Sequence, residues 1–297
     1  MRSLKENAYW IWLSLIPVLG SIKKQKLLQY FATPEKIFLE SKQGLLKIEG
    51  IGEKIVNEIL DKNIRKSVKN HITYMEKNNI QFITIQDEEY PQILKEIYDY
   101  PISLYVKGNA EILNSKSIAI VGCRDATTYG KNSAKYFGYN LANEGICVVS
   151  GLAKGIDSYA HIGALGAIGS SDSKGKTIAV LGNGLDMIYP QENIELANMI
   201  IEKGGAIISE YPLGTKPDKM NFPARNRIVS GMSRGVLVVE AKEKSGTLIT
   251  VDFALEQGRD VFVVPGNINS VYSVGTNRLI KEGARLVNCY EDLMEYI

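Results

Sequence analysis

The chain has 297 residues, 45% hydrophobic and 23% charged, with a formal net charge of +2. That is enough apolar material for a full core and more length than one average domain needs, and the charge is too mild to demand a nucleic-acid partner, so any basic site must be local. The three cysteines (Cys123, Cys147, Cys289) are odd in number and too far apart for metal-ligand spacing, which argues against a disulfide framework and for a reducing cytoplasm; His71 and His161 add no metal signature.

Met1–Gly20 sets Arg2 and Lys5 ahead of an apolar run, Ala8–Leu19, in the manner of a secretory signal. The run is too short to span a bilayer and carries Pro17 near its end. It passes into Ser21–Leu28 (SIKKQKLL), an amphipathic helix rather than a cleavage region. A cytoplasmic chain with no membrane attachment is expected.

Residues Ala8–Asp61 read as two helical hairpins, turning at Gly20 and at Glu49-Gly50-Ile51-Gly52-Glu53-Lys54. The second resembles a helix-hairpin-helix, whose G-I-G turn presents backbone N–H groups to a DNA phosphate; Gly50, Gly52 and Lys54 are its candidate contacts. The same glycines also suit a tight interhelical turn in a small bundle. Asp61–His71 is expected to be a helix leading into a linker. Ile80–Ile85 and Ile102–Val106 are strand candidates flanking a helical Glu88–Tyr98, where no chemistry is visible.

From Lys116 the pattern alternates strictly. Strands are predicted at Ser117–Val121, Ile146–Val149, Thr177–Leu181, Ala206–Ser209, Val236–Val239, Val261–Val264 and Arg285–Val287, with helices between them. The fold class is therefore α/β: an extended Rossmann-like, largely parallel, doubly wound sheet preceded by a small all-α domain. The expected division is a helical domain over 1–65 and a Rossmann-like domain over 66–297, its core at 116–288.

In such sheets ligands bind beyond the carboxyl ends of the strands. After the first strand of this region stands Gly122-Cys123-Arg124-Asp125-Ala126-Thr127, then a helix near Tyr129-Gly130 whose N-terminus is expected to favour an anion. A dinucleotide fingerprint needs glycine where Arg124 stands, so a guanidinium fills the pyrophosphate's space and NAD is not expected. Arg124 and Gly122 remain suited to a phosphate. After the next strand, Gly151-Leu152-Ala153-Lys154-Gly155 turns into another helix N-terminus, with Asp157 as a first-turn acid and His161 as a packed residue.

Gly175-Lys176-Thr177 imitates a Walker A end, but Ser170 occupies the required glycine position and the triplet precedes a strand; no ATPase is expected. The most distinctive stretch is Lys219-Met220-Asn221-Phe222-Pro223-Ala224-Arg225-Asn226-Arg227. Pro223 suits a helix first turn, and the arginines there oppose the helix dipole, so an anion is the expected reason for them. Phe222 beside fixed cations matches the way single-stranded bases are stacked and their phosphates held. The competing reading has Phe222 stapling the helix and the arginines paired with Glu210 or Glu240. Lys242, Ser245, Gly246 and Thr247 again lead from a strand into a helix and complete the candidate phosphate ligands.

Taken together, GCRDATTYG, SGLAKGIDSYAH, LGNGLDMIYP, SEYPLG, FPARNRIVSG, EAKEKSGTLIT, ALEQGRDVFVVPG and GTNRLIKEGA closely resemble the DprA (Smf) family of DNA-processing proteins, over roughly Ser117–Ala284. No Ser/His/Asp set, metal cluster or P-loop is visible, so a non-catalytic protein without a cofactor is expected; the resemblance implies one that binds single-stranded DNA in a basic pocket. It implies a homodimer that protects incoming DNA and helps load RecA during natural transformation, with single-strand-binding protein as a further partner. Arg124 matches the family's G-x-R position; Lys219, Phe222, Arg225 and Asn226 match the pocket segment, the phenyl ring stacking on a base. Many members carry a C-terminal winged helix, and no such domain is expected before Ile297. An enzymatic alternative rests on Glu240 and Ser245-Gly246-Thr247, which loosely resemble the P-G-G-x-G-T-x-x-E motif of lysine-decarboxylase-like phosphoribohydrolases; the paired glycines and following acid are missing.

Overall fold

The structure is a computed structural model describing residues 4–167 and 176–297; the Ser170–Gly175 part of the Walker-like loop lies outside the described residues. Helices α1 (Leu4–Ser14), α2 (Ser21–Phe31), α3 (Pro34–Leu39), α4 (Lys42–Leu46), α5 (Glu53–Ile59) and α6 (Lys62–Lys77) precede the first strand. Then come β1 (Ile80–Thr84), β2 (Ser103–Gly108), β3 (Ser117–Val121), α7 (Thr128–Asn143), β4 (Cys147–Ser150), α8 (Ile156–Ala167) and β5 (Thr177–Val180). The chain continues through α9 (Ile194–Glu202), β6 (Ala206–Ser209), α10 (Asn221–Gly231), β7 (Gly235–Val238), α11 (Gly246–Glu256), β8 (Asp260–Val263), α12 (Val274–Lys281), β9 (Arg285–Leu286) and α13 (Glu291–Met294).

Among the described residues the strands form one nine-stranded sheet in the order β1-β2-β6-β5-β4-β3-β7-β8-β9. The run from β6 to β9 is parallel, while β2 joins β6 and β1 joins β2 antiparallel. From β3 the chain steps outward through β4 to β6, then returns to lay β7 on the other side of β3. That reversal is the topological switch point, and it opens a crevice above the ends of β3 and β7.

The strands are short and apolar because both faces are covered. Ile118 and Ile120 of β3 point to the layer of α7 and α8, while Ala119 and Val121 point to that of α10, α11 and α12. Burial of each of the isoleucine and valine side chains contributes about 1.5–3 kcal/mol. The N-terminal helices pack on the α9 side: Trp12, Leu27, Ile37 and Val56 share one apolar cluster with Tyr105, Ala179 and Ile207 of the sheet.

Two local expectations change. The helix expected to give way to a linker near His71 runs on to Lys77, because Val68 and Met75 keep its apolar face buried; position 65 lies inside it, where the Arg65 guanidinium sits 3.9 Å from the Phe38 ring centre. The helix expected at Glu88–Tyr98 is a single 3-10 turn, Gln92–Glu96. There the Asn114 side chain accepts the Gln92 N–H at 2.9 Å, while Leu94 and Ile97 are drawn into the core.

Candidate functional site

A cavity of about 680 Å³ lies at the switch point, beyond the ends of β3, β4 and β7 and under the first turns of α10 and α11. Of the residues singled out in the sequence it gathers Gly122, Arg124, Gly151, Lys219, Phe222, Arg225, Asn226, Lys242, Ser245, Gly246 and Thr247. Lys154 and Arg227 do not line it, nor do Gly50, Gly52 and Lys54 in the helical region.

The floor is built on polar groups that the strand ends leave behind. Arg225 is 5% exposed and its Nη1 donates to the carbonyls of Gly151 (2.7 Å) and Val180. This ties the ends of β4 and β5 together, so Arg225 is a buried cross-strap rather than a free phosphate fork. Burial pulls it down to about 10, so it remains protonated at neutral pH. A side chain on Gly151 would collide with that guanidinium and with Asp157, so only glycine fits. Leu152 beside it adopts φ 55, and its carbonyl accepts from Asn193 Nδ2 at 2.8 Å.

Asp157 accepts the Gly151 and Ala153 N–H groups at 3.1 and 3.4 Å. Burial raises its carboxyl to about 6, against the opposing pull of Arg225. Its folded value thus lies above the unfolded one of about 3.9, so its stability contribution is fully present below about pH 4 and declines as pH rises through 6. Protonation also leaves the cavity more cationic. Affinity for a polyanion is therefore expected to rise roughly fivefold as pH falls from 7 to 5, and D157N should flatten that dependence in a binding titration.

The wall is aromatic and cationic. Phe222 stacks on Tyr189 with centroids 5.3 Å apart and 22° between planes, and the exposed Arg124 places its guanidinium 5.7 Å from the Phe222 centroid. Among the described residues Arg124, Lys219 and Lys244 have no ion-pair partner, whereas Lys242 reaches Asp125 at 2.5 Å. Ser245 caps α11 by accepting the Thr247 N–H at 3.3 Å, and among the described residues nothing lies within 4 Å of where a Gly246 side chain would point. This helix start faces the cavity open.

Three expectations are corrected. The start of α7 is not open to an outside anion: buried Glu240 accepts the Thr127 N–H at 3.0 Å and the Thr127 hydroxyl at 2.5 Å, so an internal carboxylate already occupies it. Arg227 turns to the far side of α10 and is held by Glu210 (2.8 Å) and Asp99 (2.9 Å), the pairing that was its competing reading. Lys154 pairs with Glu192 at the rim. His161 is packed as expected: it is fully buried, its Nδ1 lies 2.6 Å from the Thr177 hydroxyl, and burial lowers it to about 3.

Sequence reading missed Tyr189 and Lys244 as members of the site, and Asp157 as a buried acid facing it. Tyr189 lies more than thirty residues from Phe222 in the chain, and only folding brings the two rings together.

An extended Rossmann-like sheet, with an arginine where a dinucleotide protein has its second glycine and an aromatic, cation-lined hollow at the switch point, defines a doubly wound α/β protein with a candidate anion site. The pattern described as DNA recombination-mediator protein A matches residues 81–297, and the chain belongs to that family. It is 46% identical to Protein Smf of Escherichia coli over 231 residues, 78% of this chain but 60% of that protein's length. The crystal structure of DNA processing protein A (DprA) from Streptococcus pneumoniae matches with a TM-score of 0.76 at 37% identity, covering 97% of both chains. DprA from Helicobacter pylori, described for its single-stranded DNA binding mode, matches at 0.63 and 31% identity, covering 73% of this chain and 98% of that one.

Proposed function

We propose that the chain binds single-stranded DNA at the switch-point cavity without catalysing a reaction on it, shields it, and hands it to a RecA-type recombinase. The observation that carries the binding step is the Tyr189–Phe222–Arg124 cluster beside Lys219 and Lys244, which have no ion-pair partner among the described residues. A flat aromatic face accepts any base, and cations around it hold the flanking phosphates, so strand type matters more than sequence. A duplex keeps its bases stacked inside and offers none to Phe222. The family membership and the Helicobacter pylori relative's description support the same reading. Glu240, committed to Thr127, is not placed to act as the acid that the phosphoribohydrolase alternative needs.

The test is fluorescence anisotropy of labelled single-stranded and duplex oligonucleotides across a salt series. Single strands are expected to bind preferentially, with log affinity falling linearly against log salt. Arg124→Ala and Lys219→Ala should each make that slope shallower by about 0.7. Equal affinity for duplex, or slopes unchanged in both variants, would remove the pocket assignment. Recombinase transfer is then tested by whether the DNA-loaded protein shortens the lag of RecA filament formation.

A further inference from the structure

We propose that single-stranded DNA leaving the cavity continues along the outer seam between α7 and α8, on a stripe formed by Lys131, Tyr159, Lys135 and Tyr139. This rests on the pocket reading above and extends it to a second stretch of the strand.

The seam begins at the cavity rim. The backbone carbonyls of Cys123 and Arg124 press against Gly155, at the start of α8, so closely that no side chain fits there. Tyr159 lies about one helical turn, some 5.4 Å, further along α8. Lys131 and Lys135 approach its ring from α7, their Nζ atoms 5.5 and 5.1 Å from the ring centre. One turn beyond, Tyr139 is 45% exposed and lies across Gly166 of α8, whose added Cβ would sit 3.5 Å from the ring. The helices pack close enough at Gly138 and Gly163 for the stripe to be one continuous surface.

Helix stability does not account for the two lysines. They stand four residues apart on α7, where like charges repel. Lys131 is also near the helix start, where a cation opposes the dipole. Among the described residues neither has a carboxylate partner. An outside polyanion supplies the missing counter-charge, and the tyrosines supply stacking faces at about the same pitch. The alternation of cation and ring is what a strand with its bases turned inward requires.

The experiment is anisotropy with labelled oligothymidylates of roughly 5 and roughly 20 nucleotides, the shorter filling the cavity only. The Lys131→Ala/Lys135→Ala double variant is expected to bind the short oligonucleotide as the unmodified chain does. It should lose about tenfold on the long one, with a salt slope shallower by about 1.4 for two phosphates. Tyr159→Ala should weaken the long oligonucleotide alone, and Tyr159→Phe should restore it. Unchanged long-oligonucleotide affinity and slope in the double variant, or equal losses on both lengths, would overturn the path while leaving the pocket intact. Failure of the unmodified protein to bind either length would overturn the pocket reading and the path together.

Discussion

Phe222→Ala is expected to weaken single-stranded DNA binding roughly tenfold to a hundredfold, the 1–3 kcal/mol that base–aromatic stacking contributes. The ring is part-exposed at the second position of α10, with one face toward Tyr189 and Arg124 nearby. Its loss should therefore cost binding far more than folding. Because no charge is removed, the salt slope should stay where it is, which separates this variant from Lys219→Ala and Arg124→Ala. Phe222→Trp should retain most of the affinity. If Phe222→Ala binds as tightly as the unmodified chain while Lys219→Ala and Arg124→Ala do not, the site is an electrostatic groove without stacking. A thermal melt run beside the titration keeps the two effects apart.

The second large effect falls on stability. Arg227→Ala is expected to cost about 3–5 kcal/mol and to lower Tm by about 10 °C. Arg227 is 6% exposed; its Nη1 and Nη2 donate to the Glu210 carboxylate at 2.8 Å, Nε donates to Asp99 at 2.9 Å, and Nη2 also reaches the Ser21 hydroxyl at 2.9 Å. The carboxylates hold the guanidinium above its ordinary value despite burial. Removing it strands a largely buried Glu210 beside the N-terminal helices. The Arg227→Met/Glu210→Met double variant should recover most of the loss, since no lone charge then stays inside. At temperatures where the single variant is folded, its DNA affinity and salt slope should match those of the unmodified chain. A normal Tm with a shallower slope would return Arg227 to the DNA and contradict the pairing described above.

Much of this was legible in the chain. The apolar run Ser117–Val121 and its successors predicted the parallel sheet, because strands buried on both faces leave no room for polar alternation. Arg124 stands where a dinucleotide fingerprint has its second glycine, and the fold leaves it exposed and lining the cavity. Phe222 and Lys219 stood out as a ring and a cation just beyond a strand. What failed was the reading of charge at helix starts. Arg225 and Arg227 are two residues apart, which puts them on different sides of α10, one strapped to strand-end carbonyls and the other to Glu210. The anion at the start of α7 is likewise supplied from within, by Glu240.

The sequence by itself determined most of the order of strands and helices and the strand-end loops that line the cavity, and it singled out Arg124, Lys219 and Phe222, while Tyr189 and Lys244 joined them only through the fold. The element order and the loops follow from local periodicity and from turn chemistry, which act over a few residues. Only the tertiary structure decided which cations remain free for a ligand, because a charge is neutralised by whatever the fold brings within a few ångströms. Lys242 met Asp125, Lys154 met Glu192 and Arg227 met Glu210, while Arg124, Lys219 and Lys244 met no carboxylate among the described residues.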